Sequence, residues 1–73
     1  MQSNDFKDRF KAEYYQLVIT TDGLEKMLEK YKAGTLAFTP NSSYELLYEQ
    51  LVYMKNYIKV LKERAKLENI ELL

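Results

Sequence analysis

Tyrosines are the side chains of this chain best suited to bind a ligand. There are seven of them, and several fall close to lysine or arginine. An aromatic ring beside a cation suits a nucleobase and its phosphate, because each base gains about 1–3 kcal/mol from stacking. The same rings also serve protein interfaces. Four are predicted at or near the helical core: Tyr14, Tyr31, Tyr44 and Tyr48. Three fall beside it, where they would line an interface or a groove between protomers: Tyr15, Tyr53 and Tyr57.

Catalytic chemistry has little to draw on. The 73 residues include no cysteine and no histidine, which excludes a thiolate nucleophile, a disulfide framework, the usual zinc sites and a Ser–His–Asp triad. The carboxylates are scattered over predicted helical surfaces, and no glycine-rich phosphate loop or metal-ligand spacing occurs. The sequence therefore predicts a binding protein that is not an enzyme and that needs no cofactor or metal.

Charge is balanced overall but uneven along the chain. Lys plus Arg and Asp plus Glu number 11 each, so net charge indicates no nucleic-acid partner. Residues 55–66 nevertheless contain five basic side chains and one acidic one. An antiparallel hairpin brings this stretch beside Lys7, Arg9 and Lys11, which predicts a more basic open end. The alternative is that these cations simply complement the dipole at a helix C-terminus.

Two helical segments must position these side chains. Glycine and proline occupy only three positions, and apolar residues recur at heptad spacing over about residues 5–33. Asn4 or Asp5 is a plausible N-cap and Gly34 the residue that ends the helix. The stretch 18–23 reads locally as a strand entering a turn. Because the heptad phase continues through it, we predict an unbroken helix, with a kink at Gly23 as the alternative.

The second helix is predicted over about residues 43–68, after a loop over 34–42. Ser42 and Glu45 form a capping box at its start, and Asn69 suits its end. Leu36 and Phe38 are expected to fold back over the hairpin end. The chain 1–73 is thus predicted to be a single all-α domain, an antiparallel two-helix hairpin.

A second apolar stripe on the second helix lies beside its core seam. It consists of Leu46, Tyr53, Tyr57 and Val60. A lone hairpin cannot bury it, so we predict a homo-oligomeric helical bundle. The alternative is a monomer whose C-terminal tail, residues 70–73, covers the stripe. No uncharged stretch approaches the ~20 residues of a membrane span, and no signal-peptide layout is present, which predicts a cytoplasmic protein that does not bind a membrane. No short helix-turn-helix and no long basic arm occurs, so no binding of duplex nucleic acid is predicted.

Two strings resemble a known family. The second helix has Leu46-Leu47-x-x-Gln50-Leu51-x-x-Met54-x-x-Tyr57-x-x-Val60-Leu61-x-x-Arg64, and the first has Arg9-Phe10-x-x-Glu13 followed by Leu17 and Leu24-x-x-x-Leu28. Together they resemble the small bacteriophage hairpin proteins that act as anti-CBASS and anti-Thoeris sponges. The resemblance covers residues 9–66. The chain departs from it in a longer loop and in the stretch 20–23.

This resemblance implies an oligomer that binds a cyclic oligonucleotide or a cyclic ADP-ribose signal between protomers, in the host cytoplasm during infection, without cleaving it. The residue types that match such a pocket are Arg9, Lys11, Tyr14, Tyr15, Lys26, Tyr57 and Arg64, with Thr20 or Thr21 as further candidates. The alternative function is a protein-binding module, such as an inhibitor of a CRISPR nuclease or a phage assembly accessory.

Overall fold

Two antiparallel helices form the protein. The computed structural model describes residues 2–72, and side chains from residue 5 onward. Helix α1 spans Gln2–Ala33 and helix α2 spans Tyr44–Leu67. The described residues contain no strand, which confirms the all-α prediction. The Cα atoms extend over 49 × 20 × 18 Å, so the molecule is long and about two helix diameters thick.

Helix α1 is continuous through the segment that reads locally as a strand. Thr21 is buried on the core side of α1, and its hydroxyl donates a hydrogen bond to the carbonyl oxygen of Leu17 at 2.7 Å. This contact satisfies a buried hydroxyl within the helix. The predicted start is wrong, because α1 begins at Gln2 and already includes residues 4 and 5. Asp5 instead places a negative charge in the first turn, where the helix dipole favours it.

Both helices end in the same Schellman arrangement. At the end of α1, Gly34 has φ of 76°, and the Thr35 amide donates to the Lys30 carbonyl at 2.9 Å. At the end of α2, Asn69 has φ of 57°, and the Ile70 amide donates to the Ala65 carbonyl at 2.8 Å. Gly34 and Asn69 therefore act as the predicted left-handed residues that end the helices.

The start of α2 differs by one residue from the prediction. Ser43 is the N-cap, and its hydroxyl accepts a hydrogen bond from the Leu46 amide at 3.1 Å. Ser42 is not the cap, and Glu45 consequently lies one position too early to complete a capping box. Two adjacent serines have the same intrinsic capping preference, so tertiary packing selects between them. The Tyr44 ring, first in the helix, meets that of Tyr31 at 5.6 Å.

A cluster of five buried residues lies toward the open end of the hairpin, and Leu28 and Leu51 are buried nearer the loop end. The cluster consists of Phe10, Tyr14, Leu61, Ala65 and Ile70. Leu17, Val18, Ile58 and Leu72 pack against them. Because Ile70 closes this core, the tail does not cover the second stripe of α2, whose members stay 44–63% exposed. The alternative in which the tail buries that stripe is thus wrong for the described residues; Leu73 lies outside them.

The loop end is closed by aromatic rings. Tyr44 packs edge-on against Tyr31 and stacks on Tyr48 at 6.2 Å. Leu36 is half-buried there, but Phe38 is 59% exposed. The prediction that Phe38 folds back over the hairpin end is therefore wrong. In the described part of the chain, neither helix combines the length and apolar character that crossing a membrane requires.

Candidate ligand site

The end of α2 lies beside the start of α1, as an antiparallel hairpin requires. The Arg64 guanidinium lies 5.1 Å from the centroid of the Phe10 ring. The Tyr57 hydroxyl donates a hydrogen bond to the Glu13 carboxylate of α1 at 2.9 Å. These two contacts join the halves of the chain in which most of the predicted site residues fall.

Six of the seven predicted ligand contacts share this open half. They are Arg9, Lys11, Tyr14 and Tyr15 on α1, with Tyr57 and Arg64 on α2. Lys26 is not among them, because eleven residues of helix separate it from Tyr15, or about 16 Å. Its ammonium instead lies 3.2 Å from the Asp22 carboxylate, one turn away on the same helix. Lys26 thus lies outside the open half in which the other six residues fall.

Tyr14 and Tyr15 occupy different environments. The Tyr14 ring is 9% exposed and belongs to the core, whereas Tyr15 is 36% exposed. The two rings meet edge-to-face with centroids 5.3 Å apart, a favoured aromatic geometry. Of this pair, Tyr15 is the ring accessible from solvent, and Tyr14 packs against it from the core side.

The threonine candidates of α1 also differ. Thr21 uses its hydroxyl inside the helix, as described above. Thr20 is exposed, and its hydroxyl accepts a hydrogen bond from the Gln16 amide at 3.2 Å. Thr20 is therefore the more accessible of the two.

Tyr57 carries a carboxylate partner that the sequence does not single out. The Glu13 carboxylate accepts its hydroxyl hydrogen bond, and the negative charge of Glu13 opposes formation of a phenolate; both effects raise the pKa of Tyr57. The ring itself is 44% exposed. Glu13 was missed because its contact with Tyr57 spans 44 residues of sequence, and no local spacing signals such a pair.

The basic character of the open end is modest. Arg64 already contacts Glu68, whose carboxylate lies 3.3 Å from its Nε. Residues 5–16 and 58–71 together carry seven basic and six acidic side chains, against four and five in the rest of the chain. The open end is the more basic one, as predicted, but Glu68 and Glu71 offset half of the excess of four positive charges in residues 55–66. The open end therefore offers individual cations rather than a strong positive field.

A shallow groove runs along α2. It has a volume of about 520 Å³ and is lined by Leu46, Glu49, Gln50, Tyr53, Met54 and Tyr57. The Tyr53 hydroxyl donates to the Glu49 carboxylate at 3.1 Å, which raises the pKa of Tyr53 for the same reason as at Tyr57. No lysine or arginine lines this groove. This groove therefore presents apolar, amide and acidic side chains, and none of the cations predicted to bind phosphate lines it.

Polar satisfaction and metal binding set further limits. Among the described side chains, every buried nitrogen or oxygen atom has a hydrogen-bond partner. The described residues also contain no cluster of acidic side chains that could hold a metal ion. What the open end offers a ligand is thus exposed rings and cations at the surface.

Comparison with known protein families gives a match over most of the chain. The chain matches the Sequestin family over residues 4–67, a range that contains most of α1, the loop and all of α2. No curated protein and no solved structure gives a significant match.

Proposed function

Because the chain belongs to the Sequestin family, we propose that it sequesters a cyclic-nucleotide immune signal and holds it without cleaving it. The family match carries this proposal, since the family name denotes sequestration and the match covers most of the chain. The ligand class, a cyclic oligonucleotide or a cyclic ADP-ribose, comes from the resemblance to phage anti-CBASS and anti-Thoeris sponges. In this role the protein acts in the host cytoplasm during infection, as an anti-defence protein.

The ligand is proposed to lie between protomers of a homo-oligomer, near the start of α1. Tyr15 and Tyr57 support this placement because both rings are exposed and lie on different helices of the open half. Arg9 is exposed and Lys11 half-buried on the same helix as Tyr15. Stacking on a ring and a cation on each phosphate would hold a nucleotide non-covalently.

Direct binding tests the proposal. Calorimetry with cyclic dinucleotides, cyclic trinucleotides and cyclic ADP-ribose isomers should give saturable binding to one class. Ligand recovered after denaturing the complex should be chemically intact by chromatography. A linearised product would overturn the sponge function, and absence of binding to all three classes would overturn the ligand class.

Three substitutions test the site. Arg9→Ala and Lys11→Ala each remove a charge-assisted contact of about 1.5–3 kcal/mol, which corresponds to roughly 10- to 150-fold weaker binding. Tyr15→Ala should cost a similar amount through lost stacking. Lys30→Ala is the matched control, because Lys30 is an exposed cation at the loop end of the same helix. Equal affinities in all four variants would overturn the placement.

The second candidate function is a protein-binding module. The exposed apolar stripe of α2 favours it, because such a surface suits a protein partner better than a charged nucleotide. A nuclease inhibitor or assembly accessory would bind its target in the absence of any nucleotide. Retained partner binding by Arg9→Ala and Tyr15→Ala, together with no nucleotide binding by the wild type, would favour this function.

A further inference from the structure

Helix α2 carries a second complete heptad seam that the hairpin does not use. We call it the lateral seam; it consists of Leu46, Gln50, Tyr53, Tyr57, Val60, Arg64 and Leu67, at alternating steps of four and three. The core seam, which includes Leu51, Leu61 and Ala65, lies one residue further along, or about 100° around the helix. The lateral seam thus flanks the face that packs on α1.

The lateral seam is exposed along its whole apolar length. Leu46 is 57% exposed, Val60 53% and Leu67 84%. Tyr53 is 63% exposed, and Tyr57 stays 44% exposed although its hydroxyl donates a hydrogen bond to Glu13 of α1. A heptad seam is the pattern that packs against another helix. The tail of this chain does not supply that helix, because Ile70 is buried in the core.

Charge along α2 identifies the partner helix and its direction. Residues 44–54 contain two acidic side chains and no basic one, whereas residues 55–67 contain five basic and one acidic. A second α2 in parallel would set like charges side by side, which is unfavourable. A second α2 in antiparallel orientation sets the acidic half of each copy against the basic half of the other. The helix is therefore complementary to itself only when reversed.

We propose that the lateral seam pairs with the lateral seam of a second copy, antiparallel, about a two-fold axis near residues 56 and 57. This inference specifies the self-association in the proposed function but does not depend on the ligand. In this register Leu46 packs against Leu67 of the second copy, and Tyr53 packs against Val60 of the second copy. Glu49 lies beside Arg64 of the second copy, so apolar residues meet apolar ones and opposite charges meet.

Disulfide trapping tests the orientation, because the natural chain has no cysteine. Leu46→Cys and Leu67→Cys are made separately and oxidised alone or as an equimolar mixture. Both sites are exposed near the ends of α2, so the hairpin should fold in each variant, as circular dichroism can check. The antiparallel register brings the two different sites together and keeps identical sites apart. Covalent dimers are expected in the mixture and not in either variant alone.

The outcomes are decisive in both directions. Dimers in each single variant would indicate a parallel pair and overturn the orientation. Absence of disulfide-linked dimers in both single variants and in their mixture would overturn the interface. Lys30→Cys is the control for random collision, because Lys30 is exposed on α1, outside the proposed interface. It should form no disulfide-linked dimer in any mixture.

Light scattering gives an independent test. The wild type should have at least twice the chain mass of 8.7 kDa, and the double variant Tyr53→Glu, Val60→Glu should fall to a lower mass because carboxylates would be desolvated in the seam. A wild type of 8.7 kDa at all concentrations would overturn the inference. A dimeric wild type that binds no cyclic nucleotide would leave the interface standing and remove the ligand proposal instead. A monomeric double variant that keeps full nucleotide affinity would remove only the placement between protomers.

Discussion

Substitution of Ile70 should reveal how much the short segment after α2 stabilises the hairpin. Ile70 follows the left-handed Asn69 and is 5% exposed within the core of Phe10, Tyr14, Leu61 and Ala65. Its side chain is thus the hydrophobic contact that accompanies a Schellman motif. Ile70→Ala removes three buried carbon atoms without changing the backbone conformation at Asn69.

The expected loss of stability in Ile70→Ala is large relative to the total free energy of unfolding. Truncation of a buried isoleucine to alanine costs about 2–5 kcal/mol, whereas a chain of this length has a free energy of unfolding of about 4–11 kcal/mol. Each kcal/mol shifts the Tm of a small domain by about 4–8 °C. We therefore expect Ile70→Ala to lower the Tm by at least about 8 °C, measured by circular dichroism with urea unfolding as a second probe.

Ile19→Ala is the matched control. It is the same chemical change on α1, but Ile19 is 65% exposed, and alanine has the better helix propensity. Its Tm should stay close to that of the wild type. Equal losses in the two variants, or a loss below 1 kcal/mol in Ile70→Ala, would refute the assignment of Ile70 to the core.

Three further predictions concern the helices and one inter-helix contact. Gly23→Ala should raise the free energy of unfolding by about 1 kcal/mol, since Gly23 is within α1 and an added Cβ meets no atom within 4 Å. Gly34→Ala should lower the free energy of unfolding by about 1–2 kcal/mol, because Gly34 has a positive φ. Thermal melts that rank the two variants in the opposite order would contradict this. Ser43→Ala should cost about 0.5–2 kcal/mol by urea unfolding, while Ser42→Ala should be near neutral; the reverse order would restore Ser42 as the cap. The pKa of Tyr57 is raised by Glu13, so the stability that their contact adds is fully present below the ordinary tyrosine pKa of about 10 and is lost as the pH rises through the raised value. Titration of tyrosinate absorbance should accordingly show a lower midpoint for Tyr57 in Glu13→Gln, and an unchanged titration would show that the contact does not form in solution.

The helices follow from local pattern and the boundaries only in part. Apolar spacing and the left-handed preferences of glycine and asparagine predicted an unbroken α1 and the termini at Gly34 and Asn69. At Gly23 the heptad spacing predicted the continuous helix correctly, because packing along the seam outweighs the cost of about 1 kcal/mol of a glycine inside a helix. The start of α2 was off by one residue, since Ser42 and Ser43 have equal capping preference and local sequence does not distinguish them.

The candidate site was predictable by residue type and in part by accessibility. The sequence predicted Tyr14 in the core and Tyr15 beside it, as the structure has them, but it also predicted Tyr48 near the core, and Tyr48 is 52% exposed. Lys26 was chosen for its charge, although its position eleven residues beyond Tyr15 on a predicted continuous helix already places it about 16 Å away. Glu13 and Tyr57 come together through tertiary packing, which no local motif records.

The thickness of the molecule affects how ligand uptake depends on the concentration of the protein. A layer of two helices, 18–20 Å across, has no point more than about 10 Å from water, so one copy cannot enclose a nucleotide. If a second copy is needed to exclude water from the bound ligand, each ligand molecule binds two chains, and ligand binding is coupled to dimerisation by mass action. Below the dissociation constant of the pair, uptake then rises with the square of chain concentration. Such a protein responds to its own abundance as a threshold, remaining inactive when scarce and taking up signal steeply once synthesis passes that level.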